Sequence, residues 1–175
     1  MFNRVKQVIA AITAKITAED KAFVAEHLDS EGQQLFWGMN LPDQRHALNV
    51  AYTSLKLADN AAGIDREVLV QSALLHDVGK RKGDVSTADK IVTVLAHKFA
   101  AGWAEGWGRF GRGSLLANVR HAFFIYFNHA ARSASLLEQA GFRRQITEIV
   151  RKHHEAPAEN DPPELVVLRK ADNMH

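Results

Sequence analysis

Apolar residues recur every three to four positions along most of this chain, which is the spacing of one helix face. The alternation of apolar and polar residues that marks a half-buried strand is absent from the sequence. The pattern therefore predicts an all-α fold, a single helical globule. We expect helices near residues 3–14, 18–28, 31–39, 44–62, 66–78, 87–104, 114–127, 129–140, 144–154 and 163–173.

Capping residues indicate where several of these helices begin and end. Three pairs fit the capping box or a close variant of it: Thr17 with Asp20, Ser30 with Gln33, and Ser86 with Asp89. Asp43 and Asp65 are expected to cap the helices that begin directly after them. Gly63 and Gly141 suit C-terminal stops, because glycine readily adopts the left-handed conformation that ends many helices.

Two stretches are predicted to be loops. Residues 106–113 contain four glycines, and Ala156–Pro163 contains three prolines, and both residue types interrupt regular helix. The glycine-rich stretch also carries Arg109 and Arg112, so a phosphate-binding lid is one interpretation. An ordinary surface loop is the favoured interpretation, since no phosphate-loop consensus occurs there.

Composition narrows the class of protein. The chain has 175 residues, 46% hydrophobic and 24% charged, which suits one globular domain. A net charge of +2 without a run of lysine and arginine argues against a nucleic-acid or membrane partner. The N-terminal apolar stretch is too short and too interrupted for a signal peptide or a membrane span, so we expect a cytoplasmic protein. No cysteine occurs, so any bound metal must take nitrogen and oxygen ligands.

Histidine and aspartate residues supply the candidate chemistry. His76, for example, follows Leu69 and Ser72 by seven and four residues, which places it on their helix face. Five residues, each from a different predicted helix, point inward by this criterion: His46, His76, His129, His153 and Asp172. One inward histidine is ordinary, but this set, with Asp77 beside His76, predicts a site for Mn, Fe, Co, Ni, Zn or Mg. The ligands suffice for two ions, and the two oxygens of Asp77 could bridge them.

The same residues resemble a known family. The order His46, His76-Asp77, Asp172 is similar to that of the HD superfamily of metal-dependent phosphohydrolases, and Leu74–Lys80 resembles its His-Asp-Ile-Gly-Lys variant. His129 and Ile149–Glu155 resemble the binuclear branch of that superfamily. The resemblance covers residues 41–175, which it implies are one HD domain. The helices of residues 1–40 would then pack on this core, where they cover it or support a homodimer.

Departures from the family pattern limit the resemblance. Ala156-Pro157-Ala158 stands where the cyclic-dinucleotide phosphodiesterases have Gly-Tyr-Pro, which argues against that substrate. His153 and His154 are neighbours, and neighbouring helical residues point about 100° apart. Both reach one site only if the helix frays, as Pro157 allows, and His153 is the preferred ligand. His121 competes with His129, which is preferred because the residues after it match the family.

The resemblance implies hydrolysis of a phosphate ester of a small nucleotide or a related compound, with one or two divalent ions, Fe or Mn favoured. The implied ligands are His46, His76, Asp77 and Asp172 for the first ion, and His129 and His153, with Asp77 and optionally His154, for the second. Asp77 and Lys80 are the predicted catalytic residues, and Lys80 and Arg132 the predicted phosphate-binding residues. Simpler interpretations stay open for both cations: a helix-end charge for Lys80 and a surface salt bridge for Arg132. The alternatives for the whole protein are a di-iron oxygenase and a non-catalytic metal- or nucleotide-binding module.

Overall fold

The computed structural model describes residues 15–59, 61–83 and 106–175. These residues form seven α-helices: α1 (Ala18–His27), α2 (Ser30–Trp37), α3 (Leu41–Ala58), α4 (Arg66–Leu75), α5 (Leu115–Gln139), α6 (Arg144–Lys152) and α7 (Pro163–Asp172). Within these ranges, β-structure is limited to an isolated bridge between Met39 and Arg81. The all-α prediction is confirmed. The helices predicted at 3–14 and 87–104, and the pair Ser86 and Asp89, lie outside the described residues.

Two of the predicted caps are confirmed. Thr17 and Asp20 form a full capping box at the start of α1, with the Asp20 N–H donating to Thr17 Oγ1 at 3.1 Å and the Thr17 N–H to Asp20 Oδ2 at 2.9 Å. Asp65 caps α4, where its Oδ1 accepts the N–H groups of Glu67 and Val68 at 3.1 Å. Both helices thus satisfy amide donors that a helix start leaves unpaired.

Two other predicted caps are wrong. Helix α2 begins at Ser30, and the cap is Asp29, whose Oδ1 accepts the Gly32 N–H at 2.8 Å. Helix α3 begins at Leu41, so Asp43 lies inside its first turn. Pro42 explains the earlier start, because its fixed φ suits the first turn of a helix and its missing N–H costs nothing there.

The break predicted between 127 and 129 is also wrong, because α5 runs without interruption from Leu115 to Gln139. Asn128 does not end the helix, since its side-chain amide donates to the Phe124 carbonyl one turn earlier at 2.9 Å. The predicted stop at Gly141 is confirmed. Gly141 has φ +79° and its N–H donates to the Glu138 carbonyl, while the Phe142 N–H donates to the Leu137 carbonyl. These two bonds form a Schellman motif.

Helix α4 lies at the centre of the fold and is apolar nearly all round, as expected of a buried helix. It contacts α1, α2, α3, α6 and α7, while α3 also packs on α7, and α5 on α6. The core includes Val24 of α1 and Phe36 of α2, both fully buried. No helix of the described ranges is both long and apolar enough to cross a membrane. The position of α4 matters for function because His76 and Asp77 follow directly after its last residue.

Candidate metal centre

His76 and Asp77 lie at the buried end of α4, with 1% and 2% of their surface exposed. His76 is the C-cap of the helix, and the chain turns at once, with the Lys80 N–H donating to the Asp77 carbonyl at 2.9 Å. This turn packs against α5, where the Gly79 N–H donates to Ser133 Oγ at 2.8 Å. The turn therefore joins the His-Asp pair to the helix that carries His129.

Three histidines share one hydrogen-bonding arrangement. The Nδ1 atoms of His76, His129 and His153 lie 2.8, 2.6 and 2.5 Å from the carbonyl oxygen of the residue three positions earlier. A carbonyl oxygen only accepts, so each Nδ1 must carry the proton. Each Nε2 therefore presents a lone pair. Metal-bound histidines commonly have their second nitrogen fixed by such a bond.

The first group of ligand atoms comes from α3, α4 and α7. His46 Nε2 lies 2.9 Å from Asp172 Oδ1, and His76 Nε2 lies 3.8 Å from the same oxygen. The three atoms lie within 4.8 Å of one another, close enough for one cation. The structure thus brings together three residues that are far apart in the sequence.

The second group comes from α5 and the end of α6. It consists of His129, His153 and His154, whose ligand atoms also lie within 4.8 Å of one another. Helix α6 ends at Lys152, and the Glu155 N–H donates to the Lys152 carbonyl at 2.9 Å. His153 and His154 are the two central residues of this turn, outside regular helix. Both imidazoles therefore reach the same place, with His154 Nε2 2.8 Å from His129 Nε2.

Asp77 lies between the two groups. Its Oδ2 is 3.4 Å from His76 Nε2 and 4.0 Å from His46 Nε2, whereas its Oδ1 is 3.4 Å from His129 Nε2. Each carboxylate oxygen thus faces a different group of histidines. Asp77, His76 and His153 also form a third group of ligand atoms. This arrangement fits the bridging role that the sequence predicts for Asp77.

Several buried atoms at this centre are left without hydrogen bonds. Among the described residues, His76 Nε2, Asp77 Oδ1 and His153 Nε2 are buried and have no hydrogen-bond partner. A buried polar atom without a partner costs about 1–3 kcal/mol. A cation bound by these lone pairs would remove that cost. The donor set of imidazole nitrogen and carboxylate oxygen fits a divalent transition metal or Mg²⁺.

The charges around this centre keep Asp77 and Asp172 negatively charged and Lys80 positively charged. Burial alone would raise the pKa of Asp77, but Lys80, His76 and His129 together hold it well below its usual value. Burial likewise opposes the charge of Lys80, yet the pKa of its ammonium is raised because Asp77 Oδ2 lies 2.7 Å away. The pKa of the Asp172 carboxyl is lowered by His46 and His76 against the effect of burial.

The pKa values of the histidines in the second group are lowered, which favours the neutral form of each imidazole. Burial, followed by the nearby Lys80 charge, lowers the pKa of His129 to about 3. Burial and the neighbouring imidazoles hold the pKa of His153 well below its usual value, and burial lowers the pKa of His154. Near neutral pH these imidazoles are neutral and the carboxylates ionised, which are the protonation states that metal ligands require.

The remaining candidates lie elsewhere. His121 belongs to none of the three ligand groups found among the described residues. Its Nδ1 lies 3.3 Å from the Gly111 N of the glycine-rich loop, and its ring packs on Phe110. In that loop, Arg112 donates to the Gly83 carbonyl. Arg132 lies one turn after His129 and is partly buried; its role and that of Lys80 toward substrate stay predictions.

Two supporting residues were not found by reasoning on the sequence. Ser133, four residues after His129, binds the backbone of the His-Asp turn. Arg169, three residues before Asp172, binds the carbonyl of Lys152 at the end of α6. Each lies close in the sequence to a predicted ligand, which could have suggested a role near the site. The backbone group that each binds belongs to a distant part of the chain, so the contact itself could not be inferred.

The all-α fold and the converging histidine and aspartate side chains define a class: a helical protein whose described residues could hold a metal ion. The family model for the HD domain matches residues 44–175, and the chain belongs to the HD domain family. Members of this family are generally metal-dependent phosphohydrolases. The match begins within α3 and includes every predicted ligand. Neither curated proteins nor solved structures give a match to the chain. The resemblance to the HD superfamily is thus confirmed, while its binuclear branch stays a prediction.

Proposed function

We propose that the chain is a phosphohydrolase that uses two divalent ions, Fe or Mn favoured, to hydrolyse a phosphate ester of a small nucleotide or a related compound. The observation that carries the proposal is a set of buried atoms that have no hydrogen-bond partner in the described part of the chain: His76 Nε2, Asp77 Oδ1 and His153 Nε2. They lie at the meeting point of both ligand groups, in a family that binds divalent metals.

The two ligand groups and the Asp77 carboxylate between them support an assignment to two ions. The first ion would be held by His46, His76, Asp77 and Asp172, and the second by Asp77, His129, His153 and His154. When bound, divalent ions lower the pKa of water and offset charge on a phosphate. The protein's part is to keep the imidazoles of His129, His153 and His154 neutral and both carboxylates ionised.

Lys80 is the side chain we assign to the substrate phosphate. Its ammonium lies at the edge of the centre, about a quarter exposed, and is held there by Asp77 Oδ2. A cation in this position stabilises the charge that grows on a phosphate in the transition state. Arg132, one turn beyond His129, is the second residue we assign to phosphate binding, because its planar guanidinium can pair with two phosphate oxygens.

The test is hydrolysis by the metal-loaded protein. Purified protein is incubated with Mn²⁺ or Fe²⁺ and a panel of mononucleotides, cyclic dinucleotides and dinucleoside polyphosphates, while phosphate release and O₂ consumption are measured in parallel. Turnover of a phosphate ester without O₂ consumption supports the proposal. O₂ consumption without phosphate release would instead support the oxygenase, and metal binding without either would support a regulatory module.

A substitution at Asp77 tests whether the centre performs the reaction. Asp77→Asn keeps the shape but removes the charge that faces both groups, so we expect loss of bound metal and of activity together. Asp59→Asn is the matched control, because Asp59 is largely exposed and its carboxylate forms a surface ion pair with Arg66, away from both ligand groups. Full activity in Asp77→Asn would remove this residue from the mechanism.

A further inference from the structure

We propose that Arg169 is a positioning residue that holds His153 and His154 toward His129 and so sets the affinity of the second cation. The part that concerns the cation rests on the proposed function, whereas the placement of the imidazoles does not. The observation behind it is that one guanidinium, on the helix that carries Asp172, binds the backbone from which both histidines project.

The two histidines depend on a short turn. They are the central residues between Lys152 and Glu155, and the turn is closed by the Glu155 N–H donating to the Lys152 carbonyl at 2.9 Å. Lys152 and Glu155 are both exposed, and a single hydrogen bond contributes only about 0.5–1.5 kcal/mol to stability. His153 is also held by its Nδ1 bond to the Val150 carbonyl, so His154 depends most on a further support of the turn.

Arg169 gives that support. Its Nη2 donates to the same Lys152 carbonyl at 2.8 Å, and its Nη1 donates to Asp161 Oδ2 at 2.5 Å. The Asp161 carboxylate also accepts the Ala158 N–H at 2.8 Å, which fixes the loop that follows the histidines. Arg169 and Asp161 are only 10% and 8% exposed. The chain is thus held on both sides of the histidine pair by one rigid, planar group.

The position of Arg169 on α7 connects the two ligand groups. Asp172 of the first group follows Arg169 by three residues, so both side chains lie on the same side of the helix. The Arg169 Nε is buried and has no hydrogen-bond partner among the described residues. A buried N–H without a partner is unfavourable for stability. The guanidinium is therefore better explained by placement of the turn than by stability alone.

Removal of this group should loosen the turn and spare the fold. Helix α6 is held by its buried residues Ile146, Ile149 and Val150, which belong to the hydrophobic core. We expect Arg169→Ala to fold and to bind the first cation normally. Loss of outer residues that orient metal ligands typically weakens metal affinity 10–100-fold. We expect that loss for the second ion only.

The experiment combines a metal-free and a metal-bound measurement on the full chain. Imidazole ¹H–¹⁵N NMR spectra of the metal-free protein should change for His129, His153 and His154 in Arg169→Ala, and not for His46, which lies in the first group. Mn²⁺ titration, with bound metal counted by elemental analysis, should show two ions in the parent protein and one at the same free Mn²⁺ in the variant. Arg169→Lys, which has one donor group in place of a fork, should recover part of the second-ion affinity.

Arg151→Ala is the matched control, since Arg151 lies on α6 but forms surface ion pairs with Glu138 and Glu148. If Arg169→Ala does not fold, Asp161→Asn takes its place, because it releases one arm of the guanidinium and keeps the other. Unchanged spectra of all three imidazoles would overturn the proposal. Changed spectra in a parent protein that binds no Mn²⁺ would support the positioning role while contradicting the proposed function.

Discussion

Gly79 lies where the His-Asp turn touches α5, and a single methyl group there should disturb the metal centre. A Cβ at this position would lie 2.5 Å from the His129 carbonyl oxygen and 2.9 Å from both N and Oγ of Ser133. The residue does not have a positive φ, so glycine is needed for space and not for backbone conformation. Because the nearest atom is helix backbone, no side chain can rotate away to relieve the contact.

The magnitude follows from these contacts. The turn and α5 must separate by roughly 0.9 Å before the closest pair reaches the 3.4 Å of ordinary contact. Overpacking of this kind typically costs about 1–3 kcal/mol. The hydrogen bond from the Gly79 N–H to Ser133 Oγ would be stretched as well, at a cost of about 1 kcal/mol. We expect Gly79→Ala to lower the free energy of unfolding by about 2–4 kcal/mol.

The same displacement moves Asp77 away from His129, whose Nε2 lies 3.4 Å from Asp77 Oδ1. Urea unfolding of the metal-free protein measures the stability loss, and Mn²⁺ titration measures the loss of ions. Gly106→Ala is the control, because a Cβ there meets no atom of the described residues within 4 Å. If Gly79→Ala matched this control in both stability and metal content, the close packing of the turn on α5 would not matter as argued.

Two further predictions concern stability. In the metal-free protein, the free energy of unfolding should fall as the pH falls from about 6.5 toward 3. Burial lowers the pKa of His129 and His153 in the folded protein. Over this pH range the unfolded chain therefore binds protons that the folded chain does not. Each such histidine contributes a slope of about 1.4 kcal/mol per pH unit, measured by urea unfolding at several pH values, and a flat profile would contradict the burial of neutral imidazoles. Ser133→Ala should cost about 1–3 kcal/mol in the same assay, since it leaves the buried Gly79 N–H without its acceptor, and Ser135→Ala on the outer part of α5 should cost much less.

The sequence predicted those parts of the fold that depend on local patterns. Helical spacing located all seven described helices, and a cap such as Asp65 was predictable because its partners lie two and three residues away. The failures also have local causes. Asp29 precedes Ser30 and competes with it as a cap, and Pro42 starts α3 before Asp43. The break predicted between residues 127 and 129 does not occur, and the Asn128 side chain there donates to a carbonyl of the same helix.

The site was predictable only in part. The spacing that turns His46, His76 and Asp172 inward can be read from the neighbouring residues of each one. The sequence was therefore sufficient to select them as candidates. The separation of the ligands into two groups depends on which helix ends meet, and no local pattern contains that information. The supports that come from Ser133 and Arg169 are likewise contacts between helices. Spacing alone could not reveal them.

Helix ends explain why two pairs of neighbouring residues serve one centre. Inside a helix, adjacent side chains point about 100° apart and cannot reach the same place. His76-Asp77 follows the last residue of α4, and His153-His154 follows the last residue of α6. Neither pair therefore has the separation of about 100° between neighbouring residues in a regular helix. Asp172 is itself the last residue of α7. Three helices thus direct their C-terminal ends, which carry partial negative charge, toward the same centre. The negative potential at these helix ends favours a cation over an anion, and it adds to the negative charge of the ionised carboxylates. The positions of the helix ends therefore bring together several of the candidate ligands and part of the negative potential that would favour a metal ion.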